Sequence, residues 1–217
     1  MRWLDLLLPP ACAGCGSAGT LLCARCVAAF RPASDPAARF VVADPAVVIG
    51  DDLILALAAY AHAGPMRKAL ARLKYEGTKR LAQPLAATAL PTMRTLRAIS
   101  GPAALVPVPV HRERLRERGY NQAELIAGAV GSALGLPSLD LLERVRPTTK
   151  QHRLDRAARL ANLREAFALR PGVRSVPSTV IVVDDIITTA ATLEACASVL
   201  HGAGVTDVYG FAIAREI

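Results

Sequence analysis

The sequence predicts an α/β protein: a mostly parallel sheet covered by helices on both faces, preceded by a small metal-binding module. Three observations carry this. From residue 51 onward, segments of helical spacing alternate with short apolar runs of strand length. One run, Thr179-Val180-Ile181-Val182-Val183, has the unbroken apolar character of a strand buried on both faces. Four of the 5 cysteines fall together near the start, at Cys12, Cys15, Cys23 and Cys26.

The cysteines read C-x2-C-x7-C-x2-C. Each C-x2-C turn places two thiolates on one side of a metal, and two such knuckles complete a tetrahedron. Gly14, Gly16 and Gly19 supply the tight turns. Residues 11–30 have almost no core of their own, so the module, residues 1–30, is expected to need its metal to fold. Four thiolates and no histidine point to structural Zn2+ with no open position. An iron–sulfur cluster and a redox dithiol are the weaker alternatives. Cys196, alone in an apolar helical stretch, reads as a core residue.

Residues 31–50 hold Pro32, Pro36 and Pro45 and read as a connector with a short strand near 39–49. Residues 51–63, mostly Ala and Leu, predict a helix capped by Asp51 or Asp52 and broken by Gly64-Pro65. A second helix follows over 66–74, with Met66, Ala69, Leu70 and Leu73 on one side. Residues 79–97 predict a third, bent or broken at Pro84 and Pro91. Residues 103–110 predict a short strand stiffened by Pro107 and Pro109. Then come a basic loop, a helix at 121–134, a strand within 139–146 and a polar stretch at 147–166. After the 179–183 strand, a helix at 192–203 ends at Gly204, and 205–213 form the last strand.

The composition excludes several classes. With 53% hydrophobic and 20% charged residues the chain is not disordered, and no 18-residue apolar run predicts a membrane span. Asp5 and Pro9-Pro10 leave Met1–Leu8 too short for an export signal, so a cytoplasmic protein is expected. Net charge is +8 and unevenly spread: residues 111–174 carry 13 basic and 7 acidic side chains, residues 175–217 only 1 and 5. A basic middle suits a phosphate-rich partner. Only 4 Tyr, 4 Phe and 1 Trp are available for base stacking.

The most informative stretch is Asp184-Asp185-Ile186-Ile187-Thr188-Thr189-Ala190-Ala191-Thr192. An apolar strand runs into two carboxylates, then into small and hydroxylated residues that open a helix. In open α/β sheets ligands sit at the C-terminal strand ends. A small-residue turn at a helix start offers backbone N–H groups to an anion. Acids there accept bonds from sugar hydroxyls or offset a magnesium ion. Together these parts point to a phosphorylated ribose. No Gly-rich loop ending in Gly-Lys-Ser/Thr is present, which argues against a P-loop ATPase.

This stretch resembles the phosphoribosyl pyrophosphate (PRPP) motif of type I phosphoribosyltransferases. More closely, the chain resembles the ComF family of phosphoribosyltransferase-like proteins linked to bacterial competence. The resemblance takes in the four-cysteine module, Leu73-Lys74-Tyr75, Val106-Pro107-Val108-Pro109, Arg118-Gly119-Tyr120-Asn121-Gln122-Ala123, Thr149-Lys150-Gln151, Asn162 to Phe167 and the acidic-threonine loop. It implies a type I phosphoribosyltransferase-like body over 51–217, with a mobile hood at 147–166. It further implies that Asp184 and Asp185 contact the ribose hydroxyls, directly or through Mg2+ bound with PRPP. Thr188, Thr189, Ala190, Ala191 and Thr192 would hold the 5′-phosphate, and pyrophosphate would lie near Val110, His111 and Arg112.

Among the basic residues after the 103–110 strand, Arg112 and Arg118 are the preferred catalytic contacts. Lys150, Gln151, His152 and Arg153 belong to the hood, Lys74 and Tyr75 close the site, and Asn121 either caps its helix or meets the ligand. One departure stands out: the family usually has Gly where this chain has Ala190. Positive φ there would strain the alanine by about 1 kcal/mol.

The resemblance leads to a main reading and one alternative, in that order. One is phosphoribosyl transfer from PRPP to an unidentified acceptor. The other is a non-catalytic accessory protein that binds single-stranded DNA or a DNA-uptake helicase or processing protein.

Overall fold

The computed structural model describes residues 9–33, 47–48, 50–75, 77–146 and 165–217. At its centre is a five-stranded sheet in the order β1 (Val47–Val48), β2 (Leu55–Ala61), β7 (Asp207–Arg215), β6 (Thr179–Ile187), β3 (Ala104–Pro107). The four longer strands are mutually parallel, and β1 pairs antiparallel at one edge. The helices are α1 (Ala24–Ala28), α2 (Gly64–Tyr75), α3 (Ala82–Ser100), α4 (Arg112–Arg118), α5 (Gln122–Leu134) and α6 (Ala191–Gly202). A hairpin of β4 (Leu142–Arg144) and β5 (Phe167–Leu169) stands apart from the main sheet.

Side-chain alternation builds a separate core on each sheet face. Leu57, Leu105, Ile181, Val183 and Phe211 pack toward α2, α3 and α5. Ala56, Ala58, Val106, Val180, Val182 and Val208 pack toward α6 and the hairpin. Both faces are covered, so the strands carry almost no polar positions.

That double burial explains the main difference from the sequence reading. Residues 51–63 do not form a helix. Residues 55–61 are strand β2, with Leu55 paired to Tyr209 and Ala61 to Arg215. A fully buried strand has no polar alternation, and an Ala-Leu run then looks helical. Small residues there let strands and helix approach closely: a Cβ on Gly210 would lie 2.6 Å from Ala56 Cβ. Asp52 caps no helix. Its N–H donates to Glu194 Oε2 at 2.8 Å, which ties the loop to α6.

Other boundaries differ for local reasons. Gly64-Pro65 opens α2 instead of only breaking a helix, because proline suits the first helical position. Helix α3 runs through Pro91; the buried stripe Leu85, Ala89, Met93 and Leu96 holds it across the missing N–H. The basic loop is helix α4, with His111 Nδ1 accepting from the Glu113 N–H and Gly119 closing it at φ 72. It buries no residue, so it has no apolar periodicity to read. Strand β6 extends beyond 183 to Ile187, which puts both carboxylates inside the strand. Strand β5 lies just after the polar stretch and was not anticipated. The hood, apart from residues 165–166, and most of the 39–49 segment lie outside the described residues.

The cysteine module packs on this body. Ala13 and Phe30 join the same hydrophobic cluster as Leu57, Met66 and Phe211, with Leu21, Leu22 and Val27 against it. Phe30 meets Tyr60 edge to face, 5.2 Å between ring centres. Arg72 of α2 donates to the Cys12 carbonyl at 3.2 Å. Residues 31–33 then run along β2, with the Ala33 N–H donating to the Ala59 carbonyl at 3.1 Å. No described helix is long and apolar enough to cross a membrane.

Candidate functional site

The four thiols of Cys12, Cys15, Cys23 and Cys26 converge, all within 4.8 Å of one another. Zinc–sulfur bonds of about 2.3 Å in a tetrahedron require sulfurs about 3.8 Å apart. Cys15 Sγ and Cys23 Sγ lie 3.7 Å apart. The Cys23 N–H donates to Cys12 Sγ at 3.3 Å, and the Gly16 N–H closes the first knuckle onto the Cys12 carbonyl at 2.8 Å. Gly14 is required sterically: a Cβ there would sit 2.7 Å from Cys26 Sγ.

The electrostatics fit a cation. Burial, then the neighbouring thiols, push the Cys26 thiol up to about 12. The Ser17 hydroxyl, its backbone N–H and Arg25 bring Cys15 down to about 5. Burial opposes ionisation of Cys12, but N–H groups of Cys23, Cys15 and Gly14 outweigh it and lower its pKa. One cluster thus mixes thiols that ionise readily with one that does not. A divalent ion would resolve this by drawing all four into the thiolate form. The donor set and its spacing fit a closed structural Zn2+ site.

The second constellation is a cleft of about 410 Å³ at the C-terminal ends of β3 and β6. Strand β6 supplies Asp184, Asp185 and Ile186; the turn after it supplies Thr188, and the first turn of α6 supplies Thr192. From α2 come Arg67, Leu70, Ala71, Lys74 and Tyr75. Their spacing puts them on one helix face. Arg114 and Arg118 of α4, Gln122 of α5 and Arg144 of β4 complete the cationic side. His62 and Glu216, paired at 3.6 Å, stand at another edge.

Asp185 is 3% exposed. Its Oδ2 is closed to solvent and makes no hydrogen bond, and the Lys74 ammonium lies 3.5 Å from it. Asp184 is half-buried and accepts the Asp185 N–H at 2.8 Å. Burial, then the adjacent Asp185 carboxylate, push Asp184 well above the ordinary carboxylate range, against the pull of Lys74. Arg144 stacks on Phe167, 5.3 Å from the ring centre. Burial, then Arg114, lower its pKa, and the Asp184 carboxylate opposes this.

The Arg118–Gln122 motif is mainly a scaffold around this cleft. Arg118 donates to Gln122 Oε1 at 3.2 Å and lies over the Tyr75 ring. Tyr120 is buried and its hydroxyl donates to the Leu73 carbonyl at the end of α2. Asn121 caps α5 through the Ala123 N–H at 3.0 Å and donates to the Val108 carbonyl at 2.9 Å. Lys79 reaches the Gly119 carbonyl at 3.0 Å.

The other expected site residues are divided. Val110 lines the cleft. Arg112 is largely exposed and faces Glu143 at 3.7 Å, away from the cleft lining, while Arg114 takes the inward place. Thr189 is exposed, Ala190 is buried, and Ala191 begins α6. Ala190 holds φ 59, the left-handed region, and no other described non-glycine residue has positive φ. Lys150, Gln151, His152, Arg153 and residues 162–164 lie outside the described residues. Sequence reasoning missed Arg67, whose seven-residue spacing from Lys74 was a usable signal. It also missed Arg144, His62 and Glu216 as cleft residues, which only the folded chain brings there.

No family model matches the chain. It is similar to competence protein F of Haemophilus influenzae, 36% identical over 116 residues, covering 52% of this chain and 51% of that protein. The chain therefore matches about half the length of that relative. DNA utilization protein YhgH of Salmonella typhi is 29% identical over 157 residues, 70% of this chain and 68% of that protein. Competence protein ComFC of Streptococcus pneumoniae is 36% identical over 110 residues, 51% and 47% of the two chains. The chain is thus similar in sequence to proteins named for competence and for DNA utilization.

Proposed function

We propose that this protein is an accessory factor in DNA uptake or utilization, with single-stranded DNA or the uptake machinery as its partner. The similarity to competence protein F and the DNA utilization proteins carries this reading. The excess of arginine and lysine around the cleft supports it physically, because phosphate contacts supply most non-specific nucleic-acid affinity. The test is binding of a fluorescent single-stranded oligonucleotide across a salt series. Affinity should fall steeply with salt, and an Arg114→Ala, Arg118→Ala double variant should flatten that slope by about 1 to 2. Absence of binding at low salt would leave protein partners as the remaining form of this reading.

A second reading is favoured by one observation: two carboxylates and a hydroxyl-lined helix start share one cleft with cationic side chains. This arrangement suits PRPP, with phosphoribosyl transfer to an unidentified acceptor as the attached activity. In it Asp184 and Asp185 accept from the ribose hydroxyls, Thr188 and Thr192 meet the 5′-phosphate, and Arg114 and Arg118 meet pyrophosphate. Guanidinium forks suit a leaving group that gains charge. Magnesium, which the family resemblance attaches to PRPP, fits Asp185 poorly. Mg2+ keeps several waters in a near-octahedral shell, whereas Asp185 Oδ2 is shut off from water beside Lys74. Calorimetry with PRPP tests the site: Asp185→Asn should weaken binding about tenfold, roughly 1.4 kcal/mol. No saturable binding to the wild-type protein would reject it.

A further inference from the structure

We infer that Lys74 is a built-in cation of the cleft, standing beside Asp185 in place of a divalent ion, so that a phosphorylated ribose binds here without magnesium. This rests on the phosphoribosyl reading of the cleft.

The placement of Lys74 is over-determined. Leu70 and Leu73 are fully buried and set the roll of α2. The Tyr120 hydroxyl bonded to the Leu73 carbonyl pins the end of that helix next to Lys74. A helix C-terminus also favours a cation. The ammonium therefore points into the cleft from a rigid element, 3.5 Å from Asp185 Oδ2, with its side chain 24% exposed.

Asp185 Oδ2 offers no place to a hydrated ion as it stands. Asp185 Oδ2 is closed to solvent, and the Lys74 ammonium stands beside it. The carboxylate Oδ1 of Asp184 is engaged by the Asp185 N–H. A metal held by Asp185 Oδ2 would have to displace the lysine and give up its own waters on that side. The cleft meanwhile already carries Arg67, Arg114, Arg118 and Arg144 for phosphate oxygens. A lysine point charge can do what a metal does for a sugar phosphate, which is to bridge protein carboxylate and ligand anion.

The test combines two probes and a metal readout on the full-length, zinc-loaded protein. Ribose 5-phosphate and PRPP are titrated in magnesium and after magnesium removal; the simple phosphate guards against the affinity of PRPP itself for the ion. Zinc content is checked after each condition. Wild-type affinity for both probes should agree within about twofold between the conditions. Lys74→Met should lose at least tenfold without magnesium and recover part of it when magnesium returns. Lys74→Arg, which keeps the charge and guards against a folding defect in the first variant, should remain magnesium-independent. Mn2+ alone, followed by electron paramagnetic resonance, should find no site at the acid pair of the wild type and one in Lys74→Met. Wild-type binding that appears only with magnesium, or a wild-type Mn2+ site abolished by Asp185→Asn, overturns the inference and leaves the cleft reading standing. No binding of either probe under both conditions rejects the cleft reading and the inference with it.

Discussion

Ala190 is the residue at which sequence and conformation disagree. It holds φ 59 just before α6, where an L side chain costs about 1–2 kcal/mol. Its methyl is buried, which returns up to ~0.8 kcal/mol, and alanine restricts the unfolded chain by ~0.4–1 kcal/mol relative to glycine. These terms nearly cancel, so Ala190→Gly should change stability by less than about 1 kcal/mol. Ala190→Val should cost about 2 kcal/mol or more, because a β-branched residue at positive φ is an outlier. Thermal denaturation distinguishes the two. Equal losses for both variants would mean that the backbone strain is not what matters.

Asp184 makes a second prediction at this scale. Its folded-state pKa is raised by burial and by Asp185, so between the unfolded and folded values the native state holds a proton that the unfolded chain has released. The contribution of Asp184 to stability is therefore largest below the unfolded value, about 3.9, and falls as pH rises toward the folded one. Asp184→Asn should stabilise the ligand-free protein at neutral pH, by about 2–4 °C if the gain is ~1 kcal/mol. The gain should vanish below about pH 4. A variant less stable than wild type at pH 7 would show that the carboxylate is not under strain.

Single elements show what a linear pattern can and cannot carry. Helices α2 and α5 bury one stripe each and were legible from their spacing. Strand β2 was not, because both its faces meet packed neighbours and the alternation that marks a half-exposed strand is missing. Helix α4 escaped for the opposite reason, having no buried face at all. The cysteine knuckles were legible because four-thiolate metal binding requires fixed short spacings. Their sharpest test is Gly14→Ala, which sets a Cβ 2.7 Å from Cys26 Sγ and 3.1 Å from Pro65 Cβ. Zinc affinity in a competition titration should fall by at least tenfold, about 1.4 kcal/mol. Unchanged affinity would mean that the first knuckle can shift away from α2 freely.

For the whole molecule, the cysteine module and the sheet share one hydrophobic cluster through Ala13, Phe30, Leu57 and Phe211. Metal loss should then reach the body. Removing zinc with a chelator, or through Cys23→Ser, should lower the melting temperature of the main transition by several degrees, since about 1 kcal/mol corresponds to 2–4 °C at this chain length. Calorimetry that shows an unchanged main transition after metal loss would mean that the module unfolds on its own.

The sequence by itself determined the fold class, the four cysteines that converge as a candidate metal site and the strand end that bears Asp184 and Asp185. Each depends on local pattern: apolar period, ligand spacing, or a strand running into a turn. Tertiary structure decided which cations share a cleft with those acids. Lys74, Arg114 and Arg144 come from three elements that only sheet order and helix packing bring together, and Arg112, two residues from Arg114, turns outward to Glu143. Side-chain direction on a short exposed helix depends on how that helix docks, which no local pattern encodes. The sequence reading had Lys74 closing the site, and only the fold sets its ammonium 3.5 Å from Asp185 Oδ2.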